Sequence, residues 1–221
     1  MERQPQGGSG GTRAASVAGL SEYRKALDAE FKRLIPALLP DEFKQLEANI
    51  LQDGEIRNPL VIWRTGGQNI LIDGHNRLKI SEKHGLKYST TEKKLVDRDH
   101  AKLWIAENQL GTRNLTDDQR SIIANDVREF RSIINQNEKM AKARDIKEKP
   151  ILAKTTKIEP PKNARKEVAK ESKLPERKIR LAQEIKKADP KLPEMVRAGE
   201  VTLVEAKKIA SLPAEARPVA P

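Results

Sequence analysis

The feature that most restricts how this chain can fold is the passage from the apolar run Ile70-Leu71-Ile72, through Asp73-Gly74, into the polar segment His75-Asn76-Arg77. The run reads as a strand, and the segment continuing to Gly85 has helical character. Changing from strand to helix this abruptly calls for a backbone turn that side chains resist, and Gly74 permits it. A helix beginning there aims unpaired N–H groups at whatever lies past the strand, which suits phosphate. His75, Asn76 and Arg77 fall in its first turn and are candidate anion-binding residues. The competing reading is an ordinary strand–helix junction with a surface arginine.

The surrounding pattern places this junction in a small α+β domain over residues 28–130. Phe31–Ile35 is predicted as a short strand closed by Pro36, after a minor charged helix within Ser21–Glu30. Pro40-Asp41 opens a helix with Phe43, Leu46, Ile50 and Leu51 on one face, and Asp53-Gly54 ends it. Leu60–Trp63 and Asn69–Ile72 are strands joined by the hairpin signal Thr65-Gly66-Gly67-Gln68, so they pair antiparallel. Tyr88–Thr91 is β-prone, and a helix over Asp97–Leu110 is predicted with Leu103, Trp104 and Leu110 inward. Thr116 with Gln119 forms a capping box for a helix carrying Ile122, Ile123, Val127 and Phe130. Residues 1–27 read as a disordered leader, 131–162 as a basic linker partly helical before Pro150, and 213–221 as a disordered tail.

Charge separates the back of the chain from the front. Of a net +11, residues 131–187 hold 18 Lys and Arg against 8 Asp and Glu, a local excess of ten. All seven aromatics lie between Tyr23 and Phe130, so any later core is aliphatic. A positive field confined to one segment points to a polyanion, nucleic acid before membrane. No stretch has the apolar length of a spanning helix or signal-peptide core, and cytoplasmic residence follows as the expectation. Cysteine is absent, which removes disulfides, thiolate chemistry and cysteine-ligated zinc. His75, His84 and His100 show no metal-site spacing; His84 and His100 are simplest as surface residues.

Residues 163–212 read as short helices. Ala164–Ser172, the tight turn Lys173-Leu174 and a helix from Pro175 have helix-turn-helix spacing, with Val168, Ala169, Leu174, Ile179 and Ala182 apolar or small. The candidate recognition helix, Pro175–Lys187, carries Arg177, Lys178 and Arg180 near its start, the part that enters a major groove. Arg177 and Arg180 are assigned to bases, because arginine bonds guanine at two points, and Lys178 and Lys173 to the phosphate backbone. Lys173 occupies a place where this turn most often has glycine. A plain helical bundle is the alternative. Asp189-Pro190, Gly199 and the Thr202-Glu205 capping box delimit two further helices.

In order along the chain, Leu34–Asp41, Gly54-x-x-x-x-Pro59-Leu60-Val61, Asp73-Gly74-His75-Asn76-Arg77, Glu107-Asn108-Gln109 and Arg113-Asn114-Leu115 resemble the ParB/sulfiredoxin family. With a helix-turn-helix behind them, over residues 28–212, the resemblance is to ParB-type partition proteins. It implies an α+β N-terminal ParB/sulfiredoxin-like domain followed by an all-α helix-turn-helix domain. It also implies homodimers, a centromere-like DNA site, a ParA-type ATPase partner, and CTP with magnesium in the N-terminal domain. The family's phosphate-holding Gly-Glu-Arg-Arg falls on Gly74-His75-Asn76-Arg77, where Gly74 and Arg77 match and His75 and Asn76 depart. Its Glu-Asn-x-x-Arg falls on Glu107 and Asn108, with Gly111 at the arginine position and Arg113 two residues later. The implied nucleotide site is thus Gly74, His75, Asn76, Arg77, Glu107, Asn108 and Arg113, with Asn108 toward magnesium. The departures at His75, Asn76 and Gly111 weigh against CTP hydrolysis. Sulfiredoxin activity is excluded, because its catalytic cysteine has no counterpart. The family's separate dimerisation segment is not visible after residue 212; partner contacts lie in the first domain, or a segment is lacking, or the protein is a shorter mobile-element regulator.

The function expected is sequence-specific DNA binding of ParB type, in plasmid, phage or chromosome partition or in regulation of a mobile element, with CTP as its implied gate. The alternative is a ParB-domain enzyme, a CTPase or nuclease-like protein for which DNA is substrate or recruiter; His75 is a candidate general base or phosphate donor, though a hydrogen-bonding turn residue is its simpler reading. A third is a basic adaptor whose first domain binds protein.

Overall fold

The computed structural model describes residues 13–15, 28–146 and 164–213. Their contacts divide into two compact units, Met1–Lys32 with Leu38–Val96, and Arg33–Ala37 with Asp97–Pro221.

In the first unit β1 (Arg13–Ala15), α1 (Ala29–Arg33), α2 (Pro40–Asp53), β2 (Ile56–Thr65), β3 (Gln68–Asp73), α3 (His75–His84) and β4 (Tyr88–Lys93) follow in order. Among the described residues the sheet order is β1-β4-β2-β3. β2 and β3 pair antiparallel through a turn whose Gly66 and Gly67 both have positive φ. β2 and β4 pair parallel, which a hairpin cannot connect, so α3 serves as the crossover. Ile70, Leu71 and Ile72 are all buried, the signature of a strand covered on both faces. The core gathers Ile50, Leu60, Ile62, Leu71, Leu78, Ile80 and Tyr88.

Two expectations change here. Phe31–Ile35 is not a strand: Ala29–Arg33 is a helical turn, because the Asp28 carboxylate accepts the Glu30 and Phe31 amides at 2.9 and 3.2 Å and caps it. Phe31 is nonetheless fully buried, its ring 6.1 Å from that of Trp63. The leader is not wholly unstructured either, since Arg13–Ala15 pairs antiparallel with Thr90–Tyr88 and satisfies the outer edge of β4. The rest of that leader, the supposed charged helix before Asp28, residues 147–163 of the linker and the tail from 214 lie outside the described residues.

The second unit is helical: α4 (Arg98–Thr112), α5 (Asp117–Ile146), α6 (Ala164–Glu171), α7 (Glu176–Ala188), α8 (Leu192–Ala198) and α9 (Leu203–Ala210). α5 is its axis, buried at every position from Ser121 to Arg128. One side, with Ile123, Ala124 and Val127, meets Ala106 of α4 and Val168, Ala169, Leu174 and Ile179. Another, at Ile122, joins Ala182, Ile185, Leu192, Val196 and Leu203. Two carboxylates of α5 are absorbed by pairing: Asp126 holds the buried Arg197 guanidinium and Lys186 (3.1 Å), and Glu129 also takes Lys186, at 2.6 Å. Burial pulls the Lys186 pKa down, but these two carboxylates outweigh it and leave the pKa raised.

Because α5 supplies the core for α6 to α9, α4 and α5 group with the C-terminal helices, and the units divide at Val96/Asp97 rather than near residue 130. The expected linker begins inside this helix: α5 continues to Ile146, with Ile134 buried. α4 bears out its expected face in part, since Leu103 and Leu110 pack against the core. Ala101, Ile105, Ala106 and Gln109 are buried, whereas Leu103, Trp104 and Leu110 are half-buried. Ala106 lies within the core that α4 shares with α5, and Leu103 and Leu110 pack against that core from its margin.

Candidate functional site

The β3–α3 bend is a compact piece of local chemistry. Gly74, the N-cap of α3, has φ +97°. A Cβ on it would stand 2.5 Å from Leu60 Cδ2 and 3.1 Å from Arg77 Nη2, so glycine is required by backbone and by space. The gap allows Arg77 to fold back across the bend. Its Nη2 donates to Asp73 Oδ2 at 2.8 Å and to the Pro59 carbonyl at 3.3 Å, while Nε is shielded and has no partner among the described residues. No side chain caps α3, and its first turn has no acidic residue. A guanidinium and the positive end of a helix are therefore held together with a single carboxylate against them, an arrangement that an anion would relieve.

His75 enters this bend as a neutral group. Burial pushes its pKa down to about 4; Asp73 opposes that, and Lys32 and Arg77 add to it. Both ring nitrogens are shielded and have no partner among the described residues. At neutral pH the ring offers one N–H and one lone pair, not a charge. Asn76 is half-buried in the same turn.

The remaining candidates for nucleotide contact belong to the second unit. Glu107, exposed on α4, accepts Arg131 Nη2 at 2.8 Å and Nε at 3.2 Å. Asn108 is half-buried, and its backbone carbonyl accepts the Thr112 hydroxyl at 2.7 Å. Arg113 donates to the Pro36 carbonyl, holding the Arg33–Ala37 segment within this unit. Arg197 Nη1 does the same at Arg33, 2.9 Å away. Gly111 is exposed and helical, and a Cβ there meets nothing within 4 Å.

The α6–α7 pair is joined by a turn with its own logic. Leu174 N–H bonds the Ala169 carbonyl at 2.9 Å and Lys173 N–H the Lys170 carbonyl at 3.3 Å, closing α6 over a left-handed Lys173 with φ +55°. α7 buries Ile179, Ala182 and Ile185. Arg177, Arg180 and Lys173 are exposed; Arg180 lies 3.7 Å from Glu184 on its own helix. Lys178 instead turns inward to Asp117 and Asp118 at the start of α5, at 3.3 and 3.2 Å.

Sequence reasoning missed several participants. Asp73 as partner of Arg77 was legible from i,i+4 spacing. The Arg131–Glu107 and Lys178–Asp118 pairs join residues far apart in the chain, and no local signal announces them. Among the described residues no group of three or more His, Cys, Asp or Glu side chains converges as a metal site, and no helix is long and apolar enough to cross a membrane.

No family model and no curated protein matches the chain. Solved structures do. The C2221 form of a Pnob8-like ParB N-domain superposes with a TM-score of 0.60 at 22% identity, over 90% of this chain and 79% of that one. A second structure of the pNOB8-like ParB N-domain gives 0.58 at 20%, over 90% and 74%. The α+β arrangement is that of a ParB N-domain.

Proposed function

We propose that this chain, built on the ParB N-domain fold, is a sequence-specific DNA-binding protein of ParB type, acting in partition or in regulation of a mobile element. The observation that carries the reading is the outer edge of α7. Arg177 and Arg180 project from its first turns while Ile179, Ala182 and Ile185 fix the opposite face in the core. The recognition arginines are thereby held on a rigid helix, as bidentate reading of guanine demands. Lys173, exposed at the turn, suits a phosphate. Lys178 reaches a phosphate only by leaving Asp117 and Asp118, so its share is smaller.

The β3–α3 bend supports a nucleotide as the gate, with CTP the family's choice. Gly74 and the α3 amides would cradle phosphate, Arg77 would bond it by exchanging Asp73, and His75 would hydrogen-bond a neutral group such as a base or sugar hydroxyl. A His75 with pKa about 4 is a weak base at neutral pH, which favours binding over turnover. Homodimerisation and a ParA-type ATPase partner accompany this reading.

Random-oligonucleotide selection, with and without CTP and magnesium, tests it: one recurrent duplex sequence is the expected result. On that site Arg177→Ala should cost roughly 1–3 kcal/mol and relax one position. Lys173→Ala should weaken all sequences alike and lower the salt slope by about 1. No preferred sequence at near-physiological salt, with or without nucleotide, overturns the proposal.

A further inference from the structure

A cavity of about 360 Å³ lies where α4, α5 and α6 meet, within the second unit. It exists beside Gly111, where a longer side chain would reach into open space. Val127 and Val168 give it an apolar wall. Its four charged groups are unequally matched. Arg131 sits between Glu107 and Glu171, 2.8 Å from each, so these three satisfy one another. Arg120 is different: among the described residues no carboxylate pairs with it. Its Nη2 donates to the Ser172 carbonyl at 2.6 Å, and its Nε is shielded with no partner among the described residues. A charged guanidinium with an unfilled donor is costly to keep beside a cavity.

We propose that this cavity binds a small oxyanion, a phosphate or a carboxylate, on the Arg120 guanidinium. Two-pronged, charge-assisted bonding to an oxyanion gives Arg120 what one backbone carbonyl cannot. With Nε shielded, the anion is left the Nη1–Nη2 edge, and drawing Nη2 to it competes with the bond to the Ser172 carbonyl and slackens that hold. Ser172 directly precedes the left-handed Lys173, so occupancy loosens the turn that leads into α7. The site makes no use of the β3–α3 bend and stands whether or not the chain binds DNA.

The test uses the full chain titrated with inorganic phosphate or with sodium propionate, at ionic strength held constant with chloride. The Arg120 Nε–H resonance, assigned by its loss in Arg120→Lys, reports binding, and amide exchange at Lys173 and Leu174 reports the turn. A saturable shift of that resonance with faster exchange at both amides is expected. Gly111→Leu, which fills open space on a helix and leaves Arg120 intact, should weaken the response roughly tenfold or more. A response to phosphate alone assigns a phosphate group; one to propionate alone assigns a carboxylate, as on an acidic side chain; either supports the site. No saturable response, an equal response to chloride, or exchange changes that persist undiminished in both variants overturns it.

Discussion

Two turns in this chain deliver a left-handed residue just ahead of a helix, and they are built on opposite terms. At the β3–α3 bend the residue is Gly74, wedged against Leu60 with Arg77 folded over it. Polar atoms there, both His75 nitrogens and Arg77 Nε, are shielded and unpartnered among the described residues. At the α6–α7 turn the residue is Lys173, exposed, with its own N–H and that of Leu174 bonded to carbonyls of α6. The first turn is tight in space and short of partners. The second is strained only in its torsion and has its hydrogen bonds in place. A turn of the first kind is costly unless something binds there; one of the second kind is a hinge of fixed shape that sets the direction of the next helix.

The largest effect expected from this contrast is at Gly74. Gly74→Ala meets both the positive φ and the Leu60 methyl, and should destabilise the first unit by roughly 3–5 kcal/mol. Urea unfolding followed by Trp63 fluorescence in a Trp104→Phe background measures it; a loss below about 1 kcal/mol breaks the comparison, because then space is not limiting. Next is pH. His75 is neutral when folded, with a pKa depressed to about 4 from 6.5, so the folded state binds fewer protons than the unfolded one in that interval. The stability it permits is complete above about pH 6.5 and drains as pH falls toward 4, by up to roughly 3 kcal/mol. The slope should flatten in His75→Gln; an unchanged slope would show that the imidazole finds partners. Smallest is Lys173→Gly. Relief of the torsion alone should stabilise the second unit by about 1 kcal/mol, read as a higher thermal midpoint. The same variant should lose affinity for all duplexes equally. Stabilisation without that loss would confine Lys173 to a structural role.

Much of the bend was readable in advance. The apolar run, the glycine and the first-turn arginine are neighbours in sequence, and local sterics fix what they can do. The α6–α7 pair was readable for the same reason, down to a lysine standing where glycine is usual. Less legible was Phe31–Ile35, where an aromatic and aliphatic run looked extended while the Asp28 cap chose helix. On α4 the sequence placed Leu103 and Leu110 against the core but not the deeper burial of Ala101 and Ala106, because hydrophobicity favours large residues whereas close helix contact favours small ones.

By itself the sequence determined the strand–glycine–helix passage, the capped helices and the concentration of positive charge behind residue 130, since each follows from torsional preference or composition within a few neighbouring residues. Tertiary structure alone decided which charges remained available. Arg113 was taken by a carbonyl 77 residues away, Lys178 by carboxylates 60 and 61 residues away, and Glu107 by Arg131, while Arg177 was left exposed. Ion pairing depends on distance in space, and distance in space is set by packing of elements that the chain order does not place together.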